Sequence, residues 1–142
     1  MLSGCTLLVP REVAERVGLF DDRFFAYWED ADLSLRVKRA GYRNYCSMKA
    51  IVIHKLGRST DAGAKISCCR AYLLARGMAL IARTHARGLG RLVAPLHLLE
   101  DAVRAGIRRV VRPAYRRAST AELCGLWDGW RNRPVDQHWF TS

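Results

Sequence analysis

The chain has 142 residues, half of them hydrophobic and 26% charged, which suits one ordinary globular domain or a piece of a larger one and excludes wholesale disorder. Its formal net charge of +11 is lopsided: residues 1–61 hold ten Lys/Arg against eight Asp/Glu, and residues 62–142 hold fourteen against five. The second part therefore favours an acidic partner, whether nucleic acid, an anionic membrane surface or phosphate groups.

Residues 5–9, Cys-Thr-Leu-Leu-Val, form a short apolar run that reads as a buried strand. Pro10 opens a helix, with Glu12 in its first turn, Arg16 late and Gly18 as the stop. Asp21-Asp22-Arg23 is a polar turn, and four aromatics follow within five positions: Phe24, Phe25, Tyr27 and Trp28. A second helix is expected from a capping Asp30, with Asp32 and Arg36 as an i,i+4 pair, Leu33, Val37 and Ala40 as its apolar stripe, and Gly41 as its end. Residues 42–46 and 50–54 read as two short strands. Lys55-Leu-Gly-Arg-Ser-Thr is a loop of the kind that can approach phosphates. From Ile66 to about Thr84 the periodicity predicts a helix. Leu89 to Arg112 predicts another, apolar at Leu89, Leu92, Leu96, Leu99, Val103, Ile107 and Val110, with Pro95 kinking it or setting its start. Ser119 or Thr120 is the expected cap of a last helix through Trp130, and residues 132–142 read as irregular.

The chemistry concentrates between Gly18 and His54. Glu29, Asp30 and Asp32 read in two ways. Carboxylates in a first helical turn meet free N–H groups and the positive end of the helix dipole. An acid at a helix start walled by aromatic rings also suits a general base, a metal contact or a partner for sugar hydroxyls. His54, at the end of the second expected strand, is either a satisfied histidine or a metal ligand. The helix from Leu89 to Arg112 packs on a core or, with arginines beside a wide apolar face, lies on anionic lipid. No helix-turn-helix, zinc-finger or RNP-type motif supports a specific nucleic-acid reader.

Cys5, Cys46, Cys68, Cys69 and Cys124 contain no C-x-x-C spacing, so reduced thiols are expected rather than a disulfide framework or a structural zinc site. The start of the chain lacks a basic segment followed by an apolar core, so no secretory signal is expected. The longest uncharged apolar run, Leu92 to Leu99, is far short of the ~20 residues of a membrane span.

Nearly the whole chain resembles the C-terminal half of family-2 glycosyltransferases, in particular the rhamnosyltransferase-like branch. Four stretches carry the resemblance in order: Leu7-Leu8-Val9-Pro10-Arg11; Val17 to Arg36 with its Tyr-Trp-Glu-Asp-Ala-Asp core; Ala40-Gly41-Tyr42; and Ile53-His54 with Gly57 and Ser59. Tyr72 with Arg76, and Gly125-Leu-Trp-Asp-Gly-Trp-Arg, resemble the family's helical tail, although Gly77 stands where the family suggests Asn. The resemblance implies an α/β fold: residues 1–61 as the acceptor-side part of a GT-A (Rossmann-like) catalytic core, and residues 62–142 as a mostly helical, basic C-terminal region. It implies inverting transfer of a sugar, with rhamnose suggested by the branch, from a nucleotide-sugar donor to a glycan or lipid-linked acceptor. Asp30 would be the catalytic base and His54 a ligand of a divalent metal (Mn²⁺ or Mg²⁺). Glu29, Asp32, Trp28 and Tyr27 would bind substrate. The implied location is cytoplasmic, peripheral on the inner face of the plasma membrane.

The family's nucleotide-binding half, with its Asp-x-Asp metal motif, is not in the sequence; the one such triplet is Asp30-Ala-Asp32. A fragment or a two-polypeptide enzyme is the expectation, with an exposed edge near residues 5–9. The competing expectation is a non-catalytic relic, or a basic module that binds anionic membrane or nucleic acid through its arginines.

Overall fold

The computed structural model describes residues 6–47, 49–53 and 68–140. Among the described residues five α-helices follow in chain order: α1 (Arg11–Val17), α2 (Glu29–Arg39), α3 (Cys68–His85), α4 (Gly90–Val111) and α5 (Arg116–Arg131). Short 3-10 turns cover Pro113–Tyr115 and Gln137–Phe140.

The described residues contain no strand, and this corrects the expected α/β GT-A fold. Residues 7–10, 42–47 and 50–53 carry no regular structure. A strand exists only when its N–H and C=O groups meet a neighbour's, and no described segment pairs with these runs. Leu7, Val9 and Tyr42 pack against the small core of Val13, Leu33 and Val37, but without a paired strand beside them, and Leu8 is 98% exposed, Ile51 91% and Ile53 89%. Apolar runs of four or five residues carry too little periodicity to separate strand from extended coil. Cys5, His54 and the loop from Lys55 fall outside the described residues.

The punctuation of α1 and the end of α2 hold. Pro10 precedes α1, and Gly18 ends it at φ +78°, a backbone conformation open to glycine. Gly41, at φ +90°, follows the C-cap Ala40 of α2. Val13, Leu33 and Val37 form a small core between α1 and α2. α4 begins five residues before Pro95, so the proline does not set its start. The last helix starts earlier than expected. Pro113 opens a 3-10 turn that runs straight into α5, which leaves Ser119 fully buried within the helix and Thr120 Oγ1 donating to the Arg116 carbonyl at 2.8 Å. The tail is ordered as a 3-10 turn that carries Trp139 onto the core.

The molecule is built on α3 against α5. Ala121, Gly125 and Gly129 recur every four residues along α5 and let the two backbones approach closely. A Cβ on Gly125 would stand 2.3 Å from the Tyr72 carbonyl oxygen, and one on Gly129 would stand 2.1 Å from that of Arg76. Tyr72, Leu73, Ala121 and Trp139 make one core cluster, and Ala75, Ala79 and Leu126 another, against which Leu98 and Ala102 of α4 pack. Arg108 of α4 reaches Glu122 of α5 at 2.8 Å.

Tyr72 is wholly buried and stacked on Trp139. Its hydroxyl donates to Asp128 Oδ2 at 2.9 Å and accepts from the Asp136 N–H at 3.0 Å. Burial above all pushes its phenol up to about 12. The unfolded chain releases that proton near pH 10, so the fold favours the neutral form. This contribution to stability is fully present below about pH 10 and is lost as pH rises through about 12. Urea midpoints measured from pH 8 to 12 should fall along that window, and the Tyr72→Phe chain should be less stable at pH 8 with a flatter alkaline limb.

Candidate functional site

The site residues expected from the sequence gather around the first turn of α2. Its entry is an aromatic loop in an uncommon backbone conformation: Tyr27 at φ +66° and Trp28 at φ +71° are consecutive left-handed residues. Bulky side chains rarely adopt that region, at a cost on the order of 1 kcal/mol each. Tertiary contacts hold the loop there. Trp28 Nε1 donates to the Leu74 carbonyl of α3 at 3.0 Å. The ring lies over Gly77, where a Cβ would come within 2.6 Å of Trp28 Cδ1 and 3.0 Å of the Tyr27 carbonyl oxygen. Glycine at 77, where asparagine is expected from the resemblance, is thus the residue that lets the tryptophan lie on α3. Arg76, nearly fully buried, adds a second tie: its guanidinium donates to the carbonyls of Arg23 and Arg133, both at 2.6 Å. The same side chain therefore clamps the aromatic loop and the segment after α5.

This anchoring moves the start of α2. Trp28, not Asp30, is the N-cap, and its carbonyl accepts the first helical N–H, that of Asp32, at 2.9 Å. Asp30 is the second helical residue, two positions past the cap, where its Oδ1 accepts the Ala31 N–H at 2.7 Å. It serves the free N–H groups of the first turn without being the cap residue.

The three acids do not converge. Residues two apart on a helix point to opposite sides, and the surroundings differ accordingly. Asp32 is fully buried, with Arg36 Nε at 2.6 Å from Oδ2 and His85 Nε2 at 2.6 Å from Oδ1. Arg36 goes on to donate to the Val17 carbonyl at 2.8 Å and to the Leu19 carbonyl, which closes off the end of α1. Asp32 is thus walled off at the junction of α1, α2 and α3. Asp30 is half-buried at the mouth of the first turn. Glu29 Oε2 is enclosed and has no hydrogen-bond partner. The i,i+4 pairing of Asp32 with Arg36 is present as read from the spacing. His85 was missed, because no local signal in a sequence links a residue to a partner 53 positions away.

Beside α2 an open groove of about 480 Å³ runs past Trp28 and Lys38 to Tyr42, Arg43, Asn44 and Tyr45. Asn44 Nδ2 donates to the Ser34 carbonyl at 2.9 Å and holds this segment along the helix. Aromatic walls with two basic side chains suit a ligand that carries a ring and a negative charge. The alternation of Tyr and Arg/Asn directly after the Gly41 stop is the signal that marks this groove in the sequence. Tyr27 and Trp28 stay adjacent, and Trp28 is the expected substrate residue that reaches this groove.

Among the described residues no three His, Cys, Asp or Glu side chains come together to hold a metal ion. His54, the expected ligand, lies outside the described residues, and Asp32 already has both oxygens engaged. The residues described do not form a metal set.

No protein-family model matches the chain, and no solved structure matches it. Among curated proteins it is similar to the N-acetylglucosaminyl-diphospho-decaprenol L-rhamnosyltransferases of two Mycobacterium tuberculosis strains, each 44% identical over 59 residues. The match covers 42% of this chain and 19% of each relative's length. That partial likeness relates the chain to glycosyltransferases.

Proposed function

We propose that this chain supplies the acceptor side of a glycosyltransferase that moves a sugar, rhamnose by the likeness, from a nucleotide-sugar to a lipid-linked glycan acceptor. The observation that carries the reading is the 44% identity over 59 residues to an enzyme whose name specifies a rhamnosyl transfer to a diphospho-decaprenol acceptor. In this reading the Asp30 carboxylate takes the proton of the acceptor hydroxyl. The hydroxyl oxygen forms its bond to the anomeric carbon as the bond to the nucleoside diphosphate breaks, and the configuration inverts. One feature supports Asp30 over Asp32: Asp32 is enclosed and doubly paired, whereas Asp30 is half-buried at the head of α2.

The test is Asp30→Asn in the protein carrying its donor-binding part, assayed with a nucleotide-sugar and a polyprenyl-diphosphate acceptor. Turnover should fall by about 10²–10⁴-fold, the usual contribution of a general base, with the helical circular-dichroism signal unchanged. Near-native turnover in a folded Asp30→Asn protein would overturn the role.

A further inference from the structure

The most unusual surface of the molecule lies away from Asp30, on α4. Leu92, Leu96, Leu99, Val103, Ile107 and Val110 follow spacings of three and four along the helix, and each is between 52% and 75% exposed. At 100° per residue they make one stripe, turned by roughly 95–155° from Leu98, Ala102 and Ala105, the residues that face the body of the molecule. α4 is therefore apolar on two faces, and only one is used by the fold. With 22 residues it is about 33 Å long. It is not long and apolar enough to cross a membrane.

Beyond Glu100 and Asp101 the charge along the C-terminal part of α4 has one sign. Residues 104–117 contain six arginines (Arg104, Arg108, Arg109, Arg112, Arg116 and Arg117) and no acid. Arg104, Arg108 and Arg112 surround, with Val111 and the stripe residue Ile107, a shallow groove of about 440 Å³ at the C-terminal end of the stripe. Arg104 pairs with Glu100 at 2.5 Å and Arg108 with Glu122 at 2.8 Å, yet both guanidinium side chains keep 40% or more of their surface open. A nucleic acid would satisfy the arginines and leave the aliphatic stripe in water. An anionic bilayer satisfies both, with acyl chains against the stripe and phosphates at its basic edge.

We propose that α4 docks the protein flat on an anionic membrane surface, the stripe from Leu92 to Val110 sunk at the acyl boundary and the arginines from Arg104 to Arg117 at the lipid phosphates. The inference stands on this surface alone and does not depend on the sugar-transfer reading.

The test is flotation of the purified full chain with phosphatidylcholine vesicles, with and without phosphatidylglycerol. Binding should require the anionic lipid and weaken with salt. Leu99→Gln/Val103→Gln should lower the vesicle affinity at least about tenfold, because two buried aliphatic contacts are lost. Arg109→Gln/Arg112→Gln should lower it by about fivefold per arginine. All four positions are exposed, so helicity and urea midpoint should stay native. Equal binding to neutral and anionic vesicles would overturn the proposal, as would unchanged affinity in either folded pair. It would also fall if the chain ignored vesicles but formed a dimer that the stripe variant dissolves, or bound duplex DNA independently of the stripe.

Discussion

Gly129→Ala should lower the stability of the chain by about 3 kcal/mol, although glycine-to-alanine changes inside helices usually act in the other direction. Helix propensity alone favours alanine by about 1 kcal/mol, because glycine gives up more backbone freedom on folding. At Gly129 the new methyl would stand 2.1 Å from the Arg76 carbonyl oxygen, 2.9 Å from its carbon and 3.0 Å from the Ala79 Cβ. None of these is the end of a flexible side chain. The oxygen belongs to α3 itself, so α3 and α5 must move apart, and the buried surfaces of Ala75, Ala79 and Leu126 separate with them. Overpacking of this kind costs about 1–3 kcal/mol when side chains can yield, and more when backbone must. Gly106 supplies the control, since it lies within α4 and a Cβ there meets nothing within 4 Å. Gly106→Ala should therefore stabilise the chain by about 1 kcal/mol. Urea unfolding of the three proteins measures both signs. A Gly129→Ala chain as stable as the parent would mean that the α3–α5 crossing is wider than described.

The helices were legible where local punctuation or periodicity marks them. Pro10 and Gly18 bound α1, the spacing of Asp32 and Arg36 reports one side of α2, and the 3–4 periodicity of α4 is visible over six turns. The two expected strands around residues 44 and 52 rested on brief apolar runs, and a strand is defined by a partner that local sequence does not name. The start of α2 was displaced for a related reason. Asp30 is a good capping residue, but Trp28 is pinned to Leu74 and laid over Gly77 of α3, and these distant contacts put the cap at Trp28. Ser119 and Thr120 misled in the same way, because Pro113 had already started the turn that becomes α5. At the site, the opposed directions of Asp30 and Asp32 follow from 100° per residue and could be read from the chain. The burial of Asp32 could not, because it depends on His85 at the far end of α3.

That buried carboxylate carries the second large effect. Asp32→Ala should destabilise the chain by about 3–5 kcal/mol, the cost of breaking an enclosed ion pair by removing one member. Asp32 is fully buried and serves two partners, Arg36 Nε and His85 Nε2, each at 2.6 Å. His85 Nδ1 is already enclosed without a partner, so deleting Asp32 would leave both ring nitrogens unsatisfied. Arg36 would keep its bonds to the Val17 and Leu19 carbonyls but would lose its directly bonded carboxylate, leaving only the more distant Asp21 to balance its charge. Arg39, which donates to the His85 carbonyl at 2.8 Å, would be the remaining tie between α2 and the end of α3. The loss should therefore reach the head of α2 as well as global stability. Asp30→Asn is the matched control: it changes a half-buried acid two positions away and should shift the urea midpoint by less than about 1 kcal/mol. A double-mutant cycle of Asp32→Ala with His85→Ala should return a coupling of about 1 kcal/mol or more, as expected for residues in one hydrogen-bonded network. Additive losses would mean that the two side chains do not meet. If Asp32→Ala kept native stability while Asp30→Asn lost it, the two acids would have exchanged roles, and the assignment of Asp30 to chemistry would fall with the assignment of Asp32 to structure.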